Sequence, residues 1–226
     1  MLPGLVDAHT HPVWVGDRGA EIGRRLAGES YATIARDGGG IEATVRATRA
    51  AGDAELRGAV ERRLAAMLSH GTTTMEAKSG YGLTEDDEIR ALELLRSLEG
   101  GDLPRLVPTL LAAHEIPREY RDDRAEWVRI VAERIVPRAA REGLARFCDV
   151  FCEEGVFTVT ESRTILEAAR RAGLGLRIHA DDPLDLWWRL YRSGVLIARG
   201  GLAAISTPMD ESTVEEILRR FDAAVE

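Results

Sequence analysis

The fold is decided by a short, mostly apolar run that ends in two histidines, Leu5-Val6-Asp7-Ala8-His9-Thr10-His11. The run follows Pro3-Gly4, a turn signal, and therefore predicts a buried β-strand. Side chains two residues apart on a strand point to the same side, so His9 and His11 are expected to project together. Two imidazoles at this spacing can hold one metal ion, but they can also be two surface histidines at the end of a strand.

Outward from this strand, the chain alternates between predicted strands and helices as far as residue 182. Asp53 opens one of the helices between the strands, and the capping residues Thr84 and Thr158 precede two others. The predicted strands cover residues 5–9, 72–77, 106–113, 147–152 and 174–179. Repeated strand, loop and helix segments are typical of parallel βα units, whose sheet needs cover on both faces. The sequence therefore predicts an α/β layer or barrel.

Two segments break this alternation. Residues 12–41 are rich in glycine and charge and predict a long loop, with one helical turn near residues 20–26. A loop of that length is uncommon unless it is functional. Residues 183–226 have an α-β-β-α pattern instead, so we expect one domain over residues 1–182 and a separate C-terminal segment over residues 183–226.

Composition excludes several classes of protein. The 226 residues contain 30 Lys and Arg against 38 Asp and Glu, a formal net charge of −8, which argues against nucleic acid or an anionic membrane as a partner. The sequence contains no apolar run long enough for a membrane span and no visible secretory signal. With only two cysteines, a disulfide framework is excluded, and we expect a reducing, cytoplasmic location.

A third histidine strengthens the metal interpretation. His179 ends the fifth predicted strand, and the carboxyl ends of parallel strands are where sites are built. The alternative is a core or rim histidine with a hydrogen bond.

Other polar residues have plainer interpretations. His70 suits a helix C-terminus, Glu76 and Lys78 suit an ion pair with each other, and Cys148 and Cys152 suit core packing.

Several motifs resemble one family. The stretch from Val6 to Pro12 resembles the first-strand motif of the amidohydrolase superfamily. Further segments resemble imidazolonepropionases, with the likeness running from about residue 2 to residue 182. These segments are Leu26-Ala27-Gly28-Glu29-Ser30-Tyr31, Gly38-Gly39-Gly40-Ile41, Glu76-Ala77-Lys78-Ser79-Gly80-Tyr81-Gly82-Leu83, Ala113-His114-Glu115-Ile116-Pro117 and Ile178-His179-Ala180-Asp181.

The resemblance implies a fold, a reaction and a site. The fold is a partial TIM-type (β/α) barrel of about five parallel βα units. The reaction belongs to histidine degradation: a metal-dependent hydrolase opens the ring C–N bond of 4-imidazolone-5-propanoate to give N-formimidoyl-L-glutamate. One zinc or iron ion is the implied cofactor, and a small molecule is the implied partner. The implied metal ligands are His9, His11 and His179, the implied catalytic residues are His179 and Asp182, and the implied substrate-binding residues are Arg18, Tyr31 and His114.

The chain also departs from this family. Asp182 stands where the family usually has glutamate, and no histidine follows His179. A whole barrel of this type takes about 250 residues, more than residues 1–182 provide. The alternative is therefore a non-catalytic truncated or fused remnant that at most binds a metal. A further alternative is that a partner chain supplies the missing strands. A homo-oligomer is the other expected association. Residues 183–226 weakly resemble the C-terminal end of class III aminotransferases.

Overall fold

The computed structural model describes residues 3–153 and 155–179, without the side chains of residues 31, 32, 35 and 179. The strands of this part are β1 (Leu5–Asp7), β2 (Thr72–Lys78), β3 (Arg105–Ala113), β4 (Phe147–Phe151) and β5 (Gly175–His179). Its α-helices are α1 (Gly19–Leu26), α2 (Tyr31–Arg36), α3 (Ile41–Ala50), α4 (Asp53–Ser69), α5 (Glu85–Ser97), α6 (Arg124–Ile130), α7 (Val136–Arg141) and α8 (Val159–Arg171).

All five strands form one parallel sheet in the order β1-β2-β3-β4-β5. Sequential order with parallel pairing requires a crossover after each strand, and the intervening helices provide it. The predicted α/β class and partial (β/α) barrel are confirmed, because the sheet curls as part of a barrel does.

The two faces of the sheet have opposite chemistry. Alternate residues on the strands pack outward against the helices, among them Met75, Leu110, Cys148, Leu176 and Ile178. Several of the residues between them are polar and point to the inner face, although they are also buried: Glu76, Lys78, Thr109, Asp149 and Arg177. The predicted core packing of Cys148 and Cys152 is confirmed, since both are buried and belong to the apolar cluster.

Local signals for helix ends act as predicted. The Thr84 hydroxyl accepts a hydrogen bond from the Asp87 N–H at the start of α5, and Thr158 forms a complete capping box with Glu161 before α8. Gly71 ends α4 with a φ of 94°, a conformation that favours glycine. His70 occupies the C-cap of α4, where its Nδ1 lies 2.7 Å from the Ala66 carbonyl oxygen.

The segment 12–41 is more ordered than a loop. The helical turn predicted near residues 20–26 is confirmed as α1, and residues 12–18 before it form the predicted loop. The prediction of loop after α1 is wrong over Tyr31–Arg36, which form α2. Helix α1 buries none of its residues. Residues 183–226 and the boundary before them lie outside the described residues.

The helix predicted through Trp127 changes its hydrogen bonding ahead of Pro137 and continues beyond it. A π-helical turn, Val131–Ile135, joins α6 to α7, and Pro137 lies in the first turn of α7. Proline cannot donate the normal helical hydrogen bond, and a π turn is a common way to absorb that loss.

In the described part of the chain, no helix combines the length and the apolar character needed to cross a membrane.

Candidate metal and substrate site

The histidine pair lies just beyond β1 and is held there by β2. The Lys78 N–H donates to the Thr10 carbonyl oxygen at 3.0 Å, and the Thr10 hydroxyl donates to the Glu76 carbonyl oxygen. The His9 N–H donates to Asp7 Oδ1 at 3.2 Å. These bonds extend the β1 backbone along β2 and fix the residues on either side of Thr10. As predicted, the two imidazoles project together, and their Nε2 atoms lie 3.3 Å apart.

This separation fits two ligands of one metal ion. Two Zn–N bonds of about 2.05 Å that end on nitrogens 3.3 Å apart enclose an angle of about 107°, close to the tetrahedral value. Burial, followed by the positive charge of Lys78, lowers the pKa of His9 below its usual 6.5 and so favours the neutral ring that a metal requires. The same separation also fits a hydrogen bond between the two rings.

The third predicted ligand is only partly placed. The backbone of His179 ends β5 opposite Phe151, and its side chain lies outside the described atoms. Among the residues described, no group of three histidine, cysteine or carboxylate side chains is arranged to hold a metal ion. Convergence of His9, His11 and His179 is therefore still a prediction.

Two further rings adjoin the pair. His114 follows β3, and its ring stacks on that of His11 with centroids 4.9 Å apart. The Tyr81 ring stands edge-on to His114 at 5.2 Å and lies 5.9 Å from His11. The structure thus brings the predicted substrate residue His114 to the pair formed by His9 and His11. Tyr81 was not predicted as a site residue, although it lies in the Lys78–Leu83 motif that carries the family resemblance.

The protonation state of His114 follows from its surroundings. Its Nδ1 lies 2.8 Å from the Gly80 carbonyl oxygen, which can only accept, so Nδ1 carries the proton and Nε2 the lone pair. Burial lowers the pKa of His114 to about 4. The ring is therefore neutral at physiological pH and presents a hydrogen-bond acceptor at Nε2.

The other predicted site residues are not brought to this cluster by contacts that the structure describes. Arg18 binds Glu21 through its Nε at 3.0 Å and its Nη2 at 2.8 Å, at the start of α1. Tyr31 begins α2, and its side chain lies outside the described atoms. Asp182 also lies outside the described residues. Substrate binding by Arg18 and Tyr31, and catalysis by Asp182, are still predictions.

A buried charge cluster lies beneath the rings on the inner face. Lys78 Nζ lies 2.8 Å from Glu76 Oε2 and 2.5 Å from Asp149 Oδ2, which confirms the predicted Glu76–Lys78 pair. Arg177 Nη1 lies 3.0 Å from Glu76 Oε1. The cluster therefore holds two positive and two negative groups. The negative charge of Asp149 on β4 partly opposes the lowering of the pKa of His9, which lies beyond β1. The two residues are therefore close enough to interact electrostatically, although their strands are not neighbours.

Several curated proteins are similar in sequence to this chain. No family model matches the chain. The imidazolonepropionase of Solibacter usitatus is 53% identical over 182 residues, which are 80% of this chain and 44% of that protein. The imidazolonepropionase of Symbiobacterium thermophilum is 44% identical over 226 residues, all of this chain and 50% of that protein. The imidazolonepropionase of Thermoanaerobacter pseudethanolicus is 43% identical over 215 residues, 95% of this chain and 50% of that protein.

These relatives also bear on the C-terminal segment. The aminotransferase likeness of residues 183–226 finds no support, because two imidazolonepropionases align over 95% and 100% of the chain. At the same time, the chain spans about half the length of the curated relatives it matches. On the strength of these alignments and the predicted motifs, the chain belongs to the imidazolonepropionase family.

Proposed function

We propose that this chain contributes the first strands of a metal-dependent hydrolase site that opens the ring of 4-imidazolone-5-propanoate to N-formimidoyl-L-glutamate. The observation that carries the proposal is the 3.3 Å between the Nε2 atoms of His9 and His11, beside the rings of His114 and Tyr81. The sheet's carboxyl edge, where parallel barrels place their sites, holds this group.

The metal in this proposal is zinc or iron, held by His9, His11 and His179. Neutral imidazoles suit either ion, and the angle deduced above suits a tetrahedral zinc site. When bound, such an ion lowers the pKa of a water molecule and makes hydroxide available at neutral pH.

The remaining residues bind and orient the substrate. His114 is neutral and presents Nε2 as an acceptor, so it can receive a hydrogen bond from a ring N–H of the imidazolone. The Tyr81 ring stands edge-on to the His114 ring, and its phenol can donate to a carbonyl oxygen. Arg18 supplies a planar two-donor fork for the propanoate carboxylate, and Tyr31 and Asp182 complete the proposed site.

The setting of the reaction is part of the same proposal. The substrate is a small molecule, and the net charge of −8 disfavours nucleic acid and anionic membranes as partners. We place the protein in the cytoplasm, with the barrel segment over residues 1–182 and a C-terminal segment over residues 183–226. A homo-oligomer is compatible with this arrangement.

Metal binding tests the proposal directly. Equilibrium dialysis of the full chain against zinc or iron should give about one ion per chain. His9→Ala and His11→Ala should each weaken binding by more than about 100-fold, beyond the 10–100-fold typical of losing a residue outside the ligand set. His70→Ala is the matched control, because His70 is an exposed histidine at the end of α4. Equal binding by wild type and by the His9→Ala/His11→Ala variant would contradict the proposal.

A second function, a non-catalytic remnant, is favoured by one observation. The chain spans 44–50% of the length of its curated relatives. A ring-opening assay on 4-imidazolone-5-propanoate separates the two functions. Turnover that His11→Ala abolishes supports the hydrolase, whereas one bound metal per chain without turnover supports the remnant.

A further inference from the structure

The segment that carries Tyr81, residues 79–83, is unusually constrained. We call it the Tyr81 loop. It leaves β2 and reaches the α5 cap within five residues, with Gly80 at a φ of 111° and Leu83 at a φ of 51°. Among the described residues, Leu83 is the one non-glycine residue with a positive φ. Such a conformation persists only where the surroundings hold it in place.

Glu88 holds the loop from the side of α5. Its side chain is fully buried, and its carboxylate accepts hydrogen bonds from three loop N–H groups. Oε2 accepts from Gly80 at 3.0 Å, and Oε1 accepts from Gly82 at 2.9 Å and from Leu83 at 2.8 Å. A fully buried carboxylate is rare unless its hydrogen bonds are satisfied, and here the loop backbone satisfies them.

Arg49 holds the carbonyl groups of the same loop. It lies near the end of α3, and its Nε donates to the Gly82 carbonyl oxygen at 2.6 Å. Its Nη2 donates to the Leu83 carbonyl oxygen at 2.7 Å, and its Nη1 donates to Glu119 Oε1 at 2.5 Å. Both polar backbone groups of Gly82 and of Leu83 are therefore bonded to a charged side chain.

The contacts of the loop explain why its position matters. A Cβ at Gly80 would lie 3.0 Å from His114 Nδ1, so the loop backbone is packed directly against that ring. The Gly80 carbonyl oxygen accepts a hydrogen bond from His114 Nδ1, and the ring of Tyr81, the next residue, stands edge-on to the His114 ring. A shift of the loop would move the Tyr81 ring and remove the acceptor that favours the Nδ1–H tautomer of His114.

We propose that Glu88 and Arg49 are positioning residues, which clamp the Tyr81 loop and thereby fix both the Tyr81 ring and the tautomer of His114. This rests on the proposed function, in which both rings face the substrate. The clamp explains why the Glu88 carboxylate is buried against backbone N–H groups, and why Leu83 adopts a left-handed conformation. Neither residue touches the substrate in this proposal.

The test uses nuclear magnetic resonance of the full chain, kept metal-free with a chelator and labelled with ¹⁵N-histidine. In Glu88→Gln the shape is kept, but one carboxylate oxygen becomes an NH₂ group that faces a backbone N–H. We expect the nuclear Overhauser effect between the Tyr81 and His114 rings to be lost. We also expect the ¹⁵N shifts of Nδ1 and Nε2 of His114 to approach each other as the tautomers mix. His114→Gln assigns the signals.

Matched variants separate positioning from general damage. Glu85→Gln changes a glutamate of the same helix that pairs with Arg134 instead, and it should leave both signals unchanged. Arg49→Lys removes the fork but keeps the charge and should reproduce the effect, so it decides the question if Glu88→Gln does not fold. Wild-type signals in a folded Glu88→Gln or Arg49→Lys protein would overturn the proposal. Neither readout needs metal or turnover, so failure of the proposed function would be recognised separately.

Discussion

Replacing Lys78 by methionine should lower the free energy of unfolding by about 3–5 kcal/mol, the usual effect of removing one partner from a buried ion pair. Lys78 is 1% exposed and lies between Glu76 and Asp149 on the inner face of the sheet. Methionine fills a similar volume but removes one of the two positive charges that balance two carboxylates. Urea unfolding followed by circular dichroism at pH 7 measures the loss.

Two further variants make this test specific. Lys78→Met/Asp149→Asn restores the charge balance and leaves the Glu76–Arg177 pair in place, so it should recover most of the lost stability. Arg57→Met breaks an exposed pair with Glu61 and should cost less than about 1 kcal/mol. If Lys78→Met lowered the free energy of unfolding as little as Arg57→Met does, the charges of the cluster could not be desolvated.

Acidification should destabilise the protein through His114 by up to about 3 kcal/mol between pH 6.5 and pH 4. The folded protein takes up a proton on this ring only near its pKa of about 4, whereas the unfolded chain does so near 6.5. The unfolded state therefore binds more protons in this interval, and stability falls as the pH falls. Above pH 6.5 both states are neutral at this position and the effect vanishes.

The groups around His114 determine its pKa, and the variant used to test the prediction must leave them in place. Burial lowers its pKa most, Asp149 opposes this effect, Lys78 and His9 add to it, and the rings of His11, Tyr81 and Phe151 adjoin it. His114→Gln keeps a donor for the Gly80 carbonyl oxygen but does not titrate. In the presence of a chelator, wild type should lose stability relative to His114→Gln as the pH falls.

The exposed His70→Gln variant is the control for that comparison and should follow the wild-type curve. Parallel curves for wild type and His114→Gln across this interval would show that the buried ring does not titrate as described. Unfolding in urea at a series of pH values gives the required free energies.

Much of the fold could be predicted from the sequence because strand and helix segments alternate along the chain and several helices have capping residues. Thr84 and Thr158 mark helix starts by side-chain hydrogen bonds that depend only on local sequence. Helix α2 was missed because it is six residues long, and α3 because it begins after Gly38-Gly39-Gly40, which reads as loop. Such short elements are formed through tertiary contacts rather than propensity.

The candidate site was only partly visible in the sequence. The spacing of His9 and His11 predicts their common direction, because alternation along a strand is a local property. The contacts of Tyr81 and Glu88 are set by a loop whose hydrogen bonds join α3, α5 and β3, and no pattern in one segment reports them. Asp149 and Arg177 reach Glu76 and Lys78 only because parallel pairing brings four strands side by side.

The pairing of Arg18 with Glu21 has a consequence for ligand capture. The Arg18 guanidinium already binds the Glu21 carboxylate, which would compete with any anion that binds Arg18. Glu21 is also held by the Gly40 N–H, at 2.8 Å. An incoming anion would exchange with Glu21, so its apparent affinity falls by the fraction of molecules in which the internal contact is closed. Since one carboxylate replaces another, the number of ion pairs is conserved, and such an exchange depends little on ionic strength.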